Sequence, residues 1–198
     1  MAQPPSILLI SCGSLAREIT ALVREQDWSH MRVTCLPAHI HNTPDKIPEA
    51  VRAKIHSARG TVDKILVLFS DCGTGGKLAE VIAEEGVEGI GGVHCYEIFA
   101  GRENFAALMR DEPGCFFLTD FLVRHFDRLI VTGLGLDRFP KLRKIYFGHY
   151  NKLVYLAQRE DADLQDKARA AARALGLEYE LRLTGYGDYR DFLAAESA

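Results

Sequence analysis

The chain has 198 residues, a formal net charge of −3 and 47% hydrophobic residues, enough apolar content for a packed core and no basic excess to serve as a nucleic-acid footprint. No apolar run approaches the roughly 18 residues needed to span a membrane, and the opening Met-Ala-Gln-Pro-Pro lacks the basic-then-apolar order of a secretory signal. Five cysteines, at positions 12, 35, 72, 95 and 115, are odd in number and dispersed, which argues against a disulfide framework and for reduced thiols in a soluble, cytoplasmic protein.

Residues 6–11 (Ser-Ile-Leu-Leu-Ile-Ser) read as a first strand. Cys12-Gly13-Ser14 turns it into a helix over 15–25, with Leu15, Ile19, Leu22 and Val23 on one face and Glu18 in its early part. A second strand comes at 32–36, with Cys35 inside it and so assigned to the core. Residues 37–44 read as an extended loop in which His39 and His41, two apart around Ile40, share one side. Either imidazole could ligate a metal, act as a base or contact phosphate, or simply lead into the next helix. Pro48 suits the first turn of that helix, over 49–58.

The third strand, 65–69, is apolar throughout, as a strand buried on both faces should be. Asp71-Cys72-Gly73-Thr74-Gly75-Gly76 comes after it, and a helix starts at Lys77 with Leu78, Val81 and Ile82 on one face. The glycines let backbone N–H groups approach an anion at a helix start. The same position favours Cys72 as thiolate. The plain alternative is a tight turn around a small buried thiol. The loop lacks the Gly-Lys-Ser/Thr ending of a phosphate-binding P-loop and the full Gly-x-Gly-x-x-Gly pattern. It repeats the first unit: Cys, Gly and a hydroxyl after an apolar strand.

A glycine-rich stretch over 86–92 leads to Cys95 at the start of a helix over 96–99, a third thiol in the same local setting. A helix over 102–109, a Pro113-Gly114 turn and a strand over 115–119 come next. Cys115 begins that strand, far from its carboxyl end, and is left out of the site. Asp120 suits the cap of a helix over 121–127. A loop at 133–137, a helix opened by Pro140 and a strand over 152–158 precede a helix over 164–175, capped by Asp161 or Asp163 and ended by Gly176. The last strand, 179–183, gives way to Thr184-Gly185-Tyr186-Gly187-Asp188 and a short helix from Tyr189.

This alternation predicts an α/β fold, a three-layer sandwich with a mostly parallel, Rossmann-like sheet of at least five strands. It forms a single domain over 1–198 or two pseudo-repeated halves. Right-handed crossovers would place the carboxyl ends of the strands on one edge, collecting Cys12, His39, His41, Asp71, Cys72, Cys95, Asp120 and the 184–187 loop.

Several stretches resemble domain-of-unknown-function family number 1638, of bacteria and archaea. They include Cys12-Gly13 with Leu15 and Glu18, Leu36-Pro37-Ala38 with His41-Asn42, Asp71-Cys72-Gly73-Thr74-Gly75-Gly76, and Cys95-Tyr96-Glu97. The stretches from Pro113 to Phe121, Gly133 to Asp137, Tyr146 to Gly148 and Leu153 to Gln158 match as well. The resemblance spans nearly the whole chain and implies no assigned activity. It associates some members with corrinoid-dependent methyl-transfer systems, and it favours His41 over His39, because His41 lies in a matching stretch.

The expected function is therefore a metal site, with zinc as cofactor, built from Cys12, Cys72 and Cys95 with His41 as fourth ligand, acting in thiol or methyl-group transfer. A shared ion would hold the sulfurs roughly 3.5 to 4 Å apart. The first alternative is an anion- or nucleotide-like ligand without metal, held by Gly13, Ser14, His39, Asp71, Gly73, Thr74, Gly75, Gly76, Asp120, Thr184 and Gly185. The second is an accessory binding protein with no catalysis. The expected partner is a small molecule or metal, with no nucleic acid or membrane; the oligomeric state stays open.

Overall fold

The computed structural model describes residues 4–197, in two compact units: residues up to Ile98 together with those from Tyr186 onward, and Phe99–Gly185. In the first unit, β1 (Ile7–Cys12), β2 (Met31–Leu36), β3 (Lys64–Leu68) and the short β4 (Glu88–Gly89) form one sheet in the order β2-β1-β3-β4. Every pairing in it is parallel. Parallel neighbours need crossovers, supplied by α1 (Ala16–Glu25), α2 (Ile47–Ala58) and α3 (Lys77–Glu84). All six residues of β1 are buried, as a central parallel strand covered on both faces requires. Its helix α1 turns Ile19, Ala21 and Leu22 inward, together with the carboxylate-bearing Glu18.

The strand order sets the position of the site. From β1 the chain moves to β2 on one side, then returns to lay β3 along the other side of β1. Connections leaving β1 and β3 therefore diverge. The crevice at the carboxyl ends of two such strands is where open α/β sheets bind ligands.

In the second unit, β5 (Cys115–Thr119), β6 (Lys152–Ala157) and β7 (Glu178–Leu183) form a parallel sheet in simple order β5-β6-β7. The helices α6 (Asp120–Arg124), α7 (Leu142–Phe147) and α8 (Ala162–Leu175) connect them. Their core gathers Leu118, Val123, Phe126, Leu153, Tyr155 and the apolar face of α8. Asp161 caps α8, its carboxylate accepting from the Leu164 N–H at 3.1 Å, and Gly176 ends it in the left-handed conformation.

The α/β class with parallel, Rossmann-like sheets is as the sequence predicts. The count per sheet is not: the strands divide four and three, where one sheet of at least five was expected. The reason lies after β4, which has only two residues. Two successive helices, α4 (Cys95–Ala100) and α5 (Arg102–Asp111), then separate it from β5. Apolar runs mark strands but do not say which strands pair. Among the described residues no helix is long and apolar enough to cross a membrane.

Candidate functional site

Cys12 is the last residue of β1 and is buried. Its sulfur accepts from the Ser14 N–H at 3.3 Å and lies 3.0 Å from the Ser14 hydroxyl, so the thiol caps the short 3-10 turn Gly13–Leu15 that leads into α1. Gly13 is required sterically. A Cβ there would stand 2.9 Å from the Leu36 carbonyl oxygen and 3.0 Å from the Ala38 nitrogen. The end of β1 is thus in backbone contact with the end of β2, and the segment after β2 is carried over the Cys12 thiol.

That segment is not the extended loop expected. Ala38–Asn42 is a 3-10 helix, in which residues two apart point in different directions because a turn takes three residues. His39 and His41 therefore do not share a side: His39 is exposed and His41 is half-buried. His41 stacks on the buried Phe69, with ring centroids 6.3 Å apart and planes 14° from parallel. Its Nδ1 lies 3.0 Å from the Ala38 carbonyl oxygen. A carbonyl only accepts, so Nδ1–H is the donor, and in the neutral ring Nε2 carries the lone pair. Cys12 Sγ lies 3.7 Å from Nδ1 and 4.0 Å from Nε2.

The third component comes from the loop after β3. Cys72 has φ +49°, in the left-handed region, a conformation that L residues with a Cβ avoid and that, where observed, clusters at functional sites. Two backbone bonds pin it: Asp71 N–H to the Gly92 carbonyl at 2.8 Å and Cys72 N–H to the Val93 carbonyl at 3.0 Å. The same 92–93 segment leads into α4, whose Glu97 carboxylate accepts from the Val93 N–H at 2.7 Å. The loop of Cys72 and the helix start of Cys95 are fastened together in this way.

The glycine loop binds an anion, but the anion is its own. The Asp71 carboxylate accepts from the Thr74 hydroxyl at 2.6 Å, the Gly76 N–H at 2.8 Å and the Gly75 N–H at 3.2 Å. These bonds hold the Asp71 carboxyl below its usual range, the Thr74 hydroxyl contributing most. Asp71, Thr74, Gly75 and Gly76 thus form a self-capped turn, with Gly73 at φ +87° inside it, and the N–H groups of Gly75 and Gly76 are committed to that carboxylate. Asp120, Thr184 and Gly185 lie at the carboxyl edge of the other sheet. There Asp120 accepts from the Tyr155 hydroxyl at 2.7 Å and the Gln158 N–H at 3.1 Å, and Thr184 donates to the Ala157 carbonyl at 2.9 Å through its N–H. The single shared edge expected for all of these residues is replaced by two edges on two sheets.

The electrostatics single out Cys12 and His41. Burial pushes the Cys12 thiol up, but hydrogen bonding and charge from His41, with the Ser14 hydroxyl and N–H, outweigh it and leave the thiol below its ordinary value. His41 is pushed up to about 10, first by its bond to Cys12 and then by that to Cys72, against the opposing effect of burial. Cys95 is the neutral thiol of the group: desolvation, reinforced by Cys72 and Cys12, pushes it well up. Cys35, half-buried within β2, is pushed up by burial and then by Cys12.

Two contributors escaped the sequence reading. Phe69, read only as strand core, is the platform under His41. Tyr189 of α9 (Asp188–Glu196) is fully buried, and its phenol is pushed well up by burial and further by Cys95, Cys72 and Cys12. The Gly-Tyr-Gly-Asp-Tyr sequence marks a turn there, but nothing local ties it to the thiols.

A zinc ion with bonds of about 2.3 Å to sulfur and about 2.0 Å to nitrogen sets two of its ligands roughly 3.6 Å apart at a tetrahedral angle. Cys12 Sγ lies 4.0 Å from His41 Nε2, somewhat beyond that separation. The Nδ1–H bond to a backbone carbonyl is the outer-shell contact that metal-ligating histidines make. Among the described residues no three His, Cys, Asp or Glu side chains already surround one point at ligand distances. Without a metal the same pair is a thiol of lowered pKa beside an imidazole of raised pKa, the arrangement from which an activated nucleophile is made.

Residues 35–193 match the family model described as Protein of unknown function (DUF1638). His41, Cys72 and Cys95 lie inside that match and Cys12 before it. No curated protein shows a significant match to the chain. Among solved structures the chain is similar to ornithine carbamoyltransferase from Pyrococcus furiosus, at 13% identity and a TM-score of 0.27, over 90% of this chain and 54% of that one. It thus spans about half the length of that enzyme chain. The fold assignment rests on the strand register described above.

Proposed function

The chain belongs to the Protein of unknown function (DUF1638) family, and from that premise we propose that it binds a transition metal, zinc by the chemistry of its donors, through Cys12, Cys72 and His41. The observation that carries this reading is His41, whose ring nitrogens lie 3.7 and 4.0 Å from Cys12 Sγ at the β1/β3 crevice, with its Nδ1–H anchored on Ala38 and its pKa raised by Cys12 and then Cys72. Two thiolates and an imidazole match a zinc site that keeps one position open. In such a site the ion acts as a Lewis acid or activates a bound thiol or water, which suits thiol or methyl-group transfer. Cys95 is the fourth donor if the site closes. Binding through Nε2 would release the proton that the raised pKa of His41 keeps on the ring.

The test is metal content of the purified protein, followed by cobalt substitution. Stoichiometric metal and a thiolate-to-cobalt charge-transfer band, weakened in Cys12→Ser and in Cys72→Ser, are expected. In Cys95→Ser, a band of unchanged strength marks an open fourth position and a weaker one a closed site. Protein that takes up neither zinc nor cobalt with its thiols reduced overturns the reading. The second reading, a metal-free nucleophilic Cys12, is favoured by its lowered pKa beside His41. It predicts that iodoacetamide labels Cys12 before the other four cysteines.

A further inference from the structure

The second sheet ends on a strand whose outer edge is open. In the order β5-β6-β7 each outer strand has one neighbour, but the two edges differ. Four of the five residues of β5 are buried, and none of the residues of β7 is. Leu181 and Leu183 are 36% and 55% exposed. Natural edge strands are blunted by proline, lysine or a bulge, and the β7 sequence Glu-Tyr-Glu-Leu-Arg-Leu holds neither proline nor lysine.

Backbone bonds show which groups point outward. The Glu178 N–H donates to the Asn151 carbonyl at 3.0 Å and the Thr184 N–H to the Ala157 carbonyl at 2.9 Å, both on the β6 side. Backbone groups alternate sides along a strand. Glu180 and Arg182 therefore also direct theirs at β6, and the N–H and C=O of Tyr179, Leu181 and Leu183 lie at the open edge. Side chains alternate as well. Tyr179, Leu181 and Leu183 share one face, where the Arg169 guanidinium of α8 lies 5.3 Å from the Tyr179 ring centre. Glu180 and Arg182 share the other, where the Glu180 carboxylate accepts from Arg182 at 2.5 Å and from Lys152 of β6 at 2.8 Å.

The order Tyr179-Glu180-Leu181-Arg182-Leu183 complements itself when reversed about Leu181. An antiparallel copy, related by a twofold axis at Leu181, sets Leu181 against its own counterpart, Tyr179 against Leu183 and Glu180 against Arg182. The Leu181 and Tyr179/Leu183 pairs are then of the hydrogen-bonded kind, each exchanging its outward N–H and C=O groups. The Glu180/Arg182 pairs are of the non-bonded kind, in which side chains stand closer. Other registers fail. Centring on Glu180 or Arg182 sets like charges opposite, which is destabilising. Centring on Tyr179 sets Glu178 against Glu180, and centring on Leu183 leaves Tyr179 and Glu180 without strand partners. Charge selects the register; backbone bonds and apolar contact hold it, since exposed ion pairs contribute little. From this arrangement we infer that the open edge of β7 pairs with a second copy of this chain, joining the two three-stranded sheets across a twofold axis. The surface lies wholly in the second unit and does not depend on the metal reading.

The experiment is sedimentation velocity of the full chain over about a hundredfold range of concentration, with amide exchange measured at both ends of the range. The mass is expected to rise from that of one chain to that of two. Exchange at Tyr179, Leu181 and Leu183 should slow with concentration, while Glu180 and Arg182 stay protected throughout. Leu181→Pro removes an outward donor at each side of the axis and no bond to β6, at a kind of position where edge strands tolerate proline. It should weaken association by about tenfold or more, with the amides of Glu180 and Arg182 still protected. Glu180→Arg and Arg182→Glu should each associate more weakly than the native chain, because like charges then face each other across the axis. An equimolar mixture of the two should associate as the native chain does, because both facing pairs become opposite in sign. A single-chain mass at every concentration would overturn the inference. So would a pair that leaves the amides of Tyr179, Leu181 and Leu183 exchanging fast, a pair that Leu181→Pro does not weaken, or a mixture of the folded charge variants no more associated than either alone.

Discussion

At Cys72 the backbone and the side chain make opposing demands. A left-handed conformation costs an L residue about 1–2 kcal/mol, and here it is adopted between an aspartate and a glycine, either of which would bear it more cheaply. Glycine at 72 would remove that strain while losing roughly 0.5–1 kcal/mol to the freedom of the unfolded chain. Cys72→Gly is therefore expected to leave the denaturation midpoint nearly unchanged and to abolish strong cobalt binding. A large loss of stability would instead assign the thiol to packing. The Cys12–His41 pair carries a pH dependence of definite sign. His41 is raised from 6.5 to about 10, so in the metal-free protein its contribution to stability is fully present below pH 6.5 and is lost as pH rises through about 10. Cys12 is lowered from 9.0, so its contribution is present above pH 9 and is lost as pH falls through the lowered value. Between these limits thiolate and imidazolium coexist. The alkylation rate of Cys12 against pH should turn up below the ordinary thiol range, and His41→Gln should move that midpoint upward, because burial is then opposed by the Ser14 hydroxyl and N–H alone.

Among elements, the contact between the ends of β1 and β2 governs the site. Gly13→Ala would press a methyl against two backbone atoms at 2.9 and 3.0 Å, neither able to rotate away. Overpacking of this kind costs about 1–3 kcal/mol, and at roughly 2–4 °C per kcal/mol for a chain of this size the melting temperature should fall by several degrees. Cobalt binding should fall with it, since the shift moves Ala38 and hence His41; an unperturbed melting curve would show that the two strand ends are loosely held. Strands and helices were legible in the sequence because apolar periodicity records burial: β1, β5 and α8 lie within two residues of their predicted spans. The placement of Cys12 at the end of β1 and of Cys72 in the loop after β3 was legible too, from paired Cys-Gly-hydroxyl turns after apolar strands. The 3-10 turn at Ala38–Asn42 was not, because Pro37 and two histidines fit an extended loop equally well and only the register against Gly13 distinguishes them. Nor was the role of Asp71, since a carboxylate beside three glycines reads as a ligand contact until its bonds to Thr74, Gly75 and Gly76 are seen.

At the scale of the whole molecule, the chain leaves the first unit after Ile98 and comes back to it at Tyr186. That return was invisible in the sequence, where the last helix succeeds β7 in unbroken alternation. In the structure α9 completes the core of the thiol-bearing unit: Tyr189 and Leu193 are fully buried there, Tyr186 donates to the Glu25 carboxylate at 2.9 Å, and Glu196 is ion-paired with Lys64 of β3. Truncating a buried leucine to alanine costs about 2–5 kcal/mol and a large aromatic about 3–5, so removing both approaches the 5–15 kcal/mol that stabilises a domain. A chain ending at Gly185 is therefore expected to lose slow amide exchange in β1 and β3 and to expose Cys12, Cys72 and Cys95 to rapid alkylation. Leu193→Ala alone should lower the stability of this unit by about 2–5 kcal/mol and keep the thiols protected at low denaturant. The protected amides of residues 99–185, which form the other unit, report whether the damage is confined to the first unit. If β1 amides stay protected without α9, the helix is an appendage, and the thiol cluster is held by the four-stranded sheet and its crossovers alone.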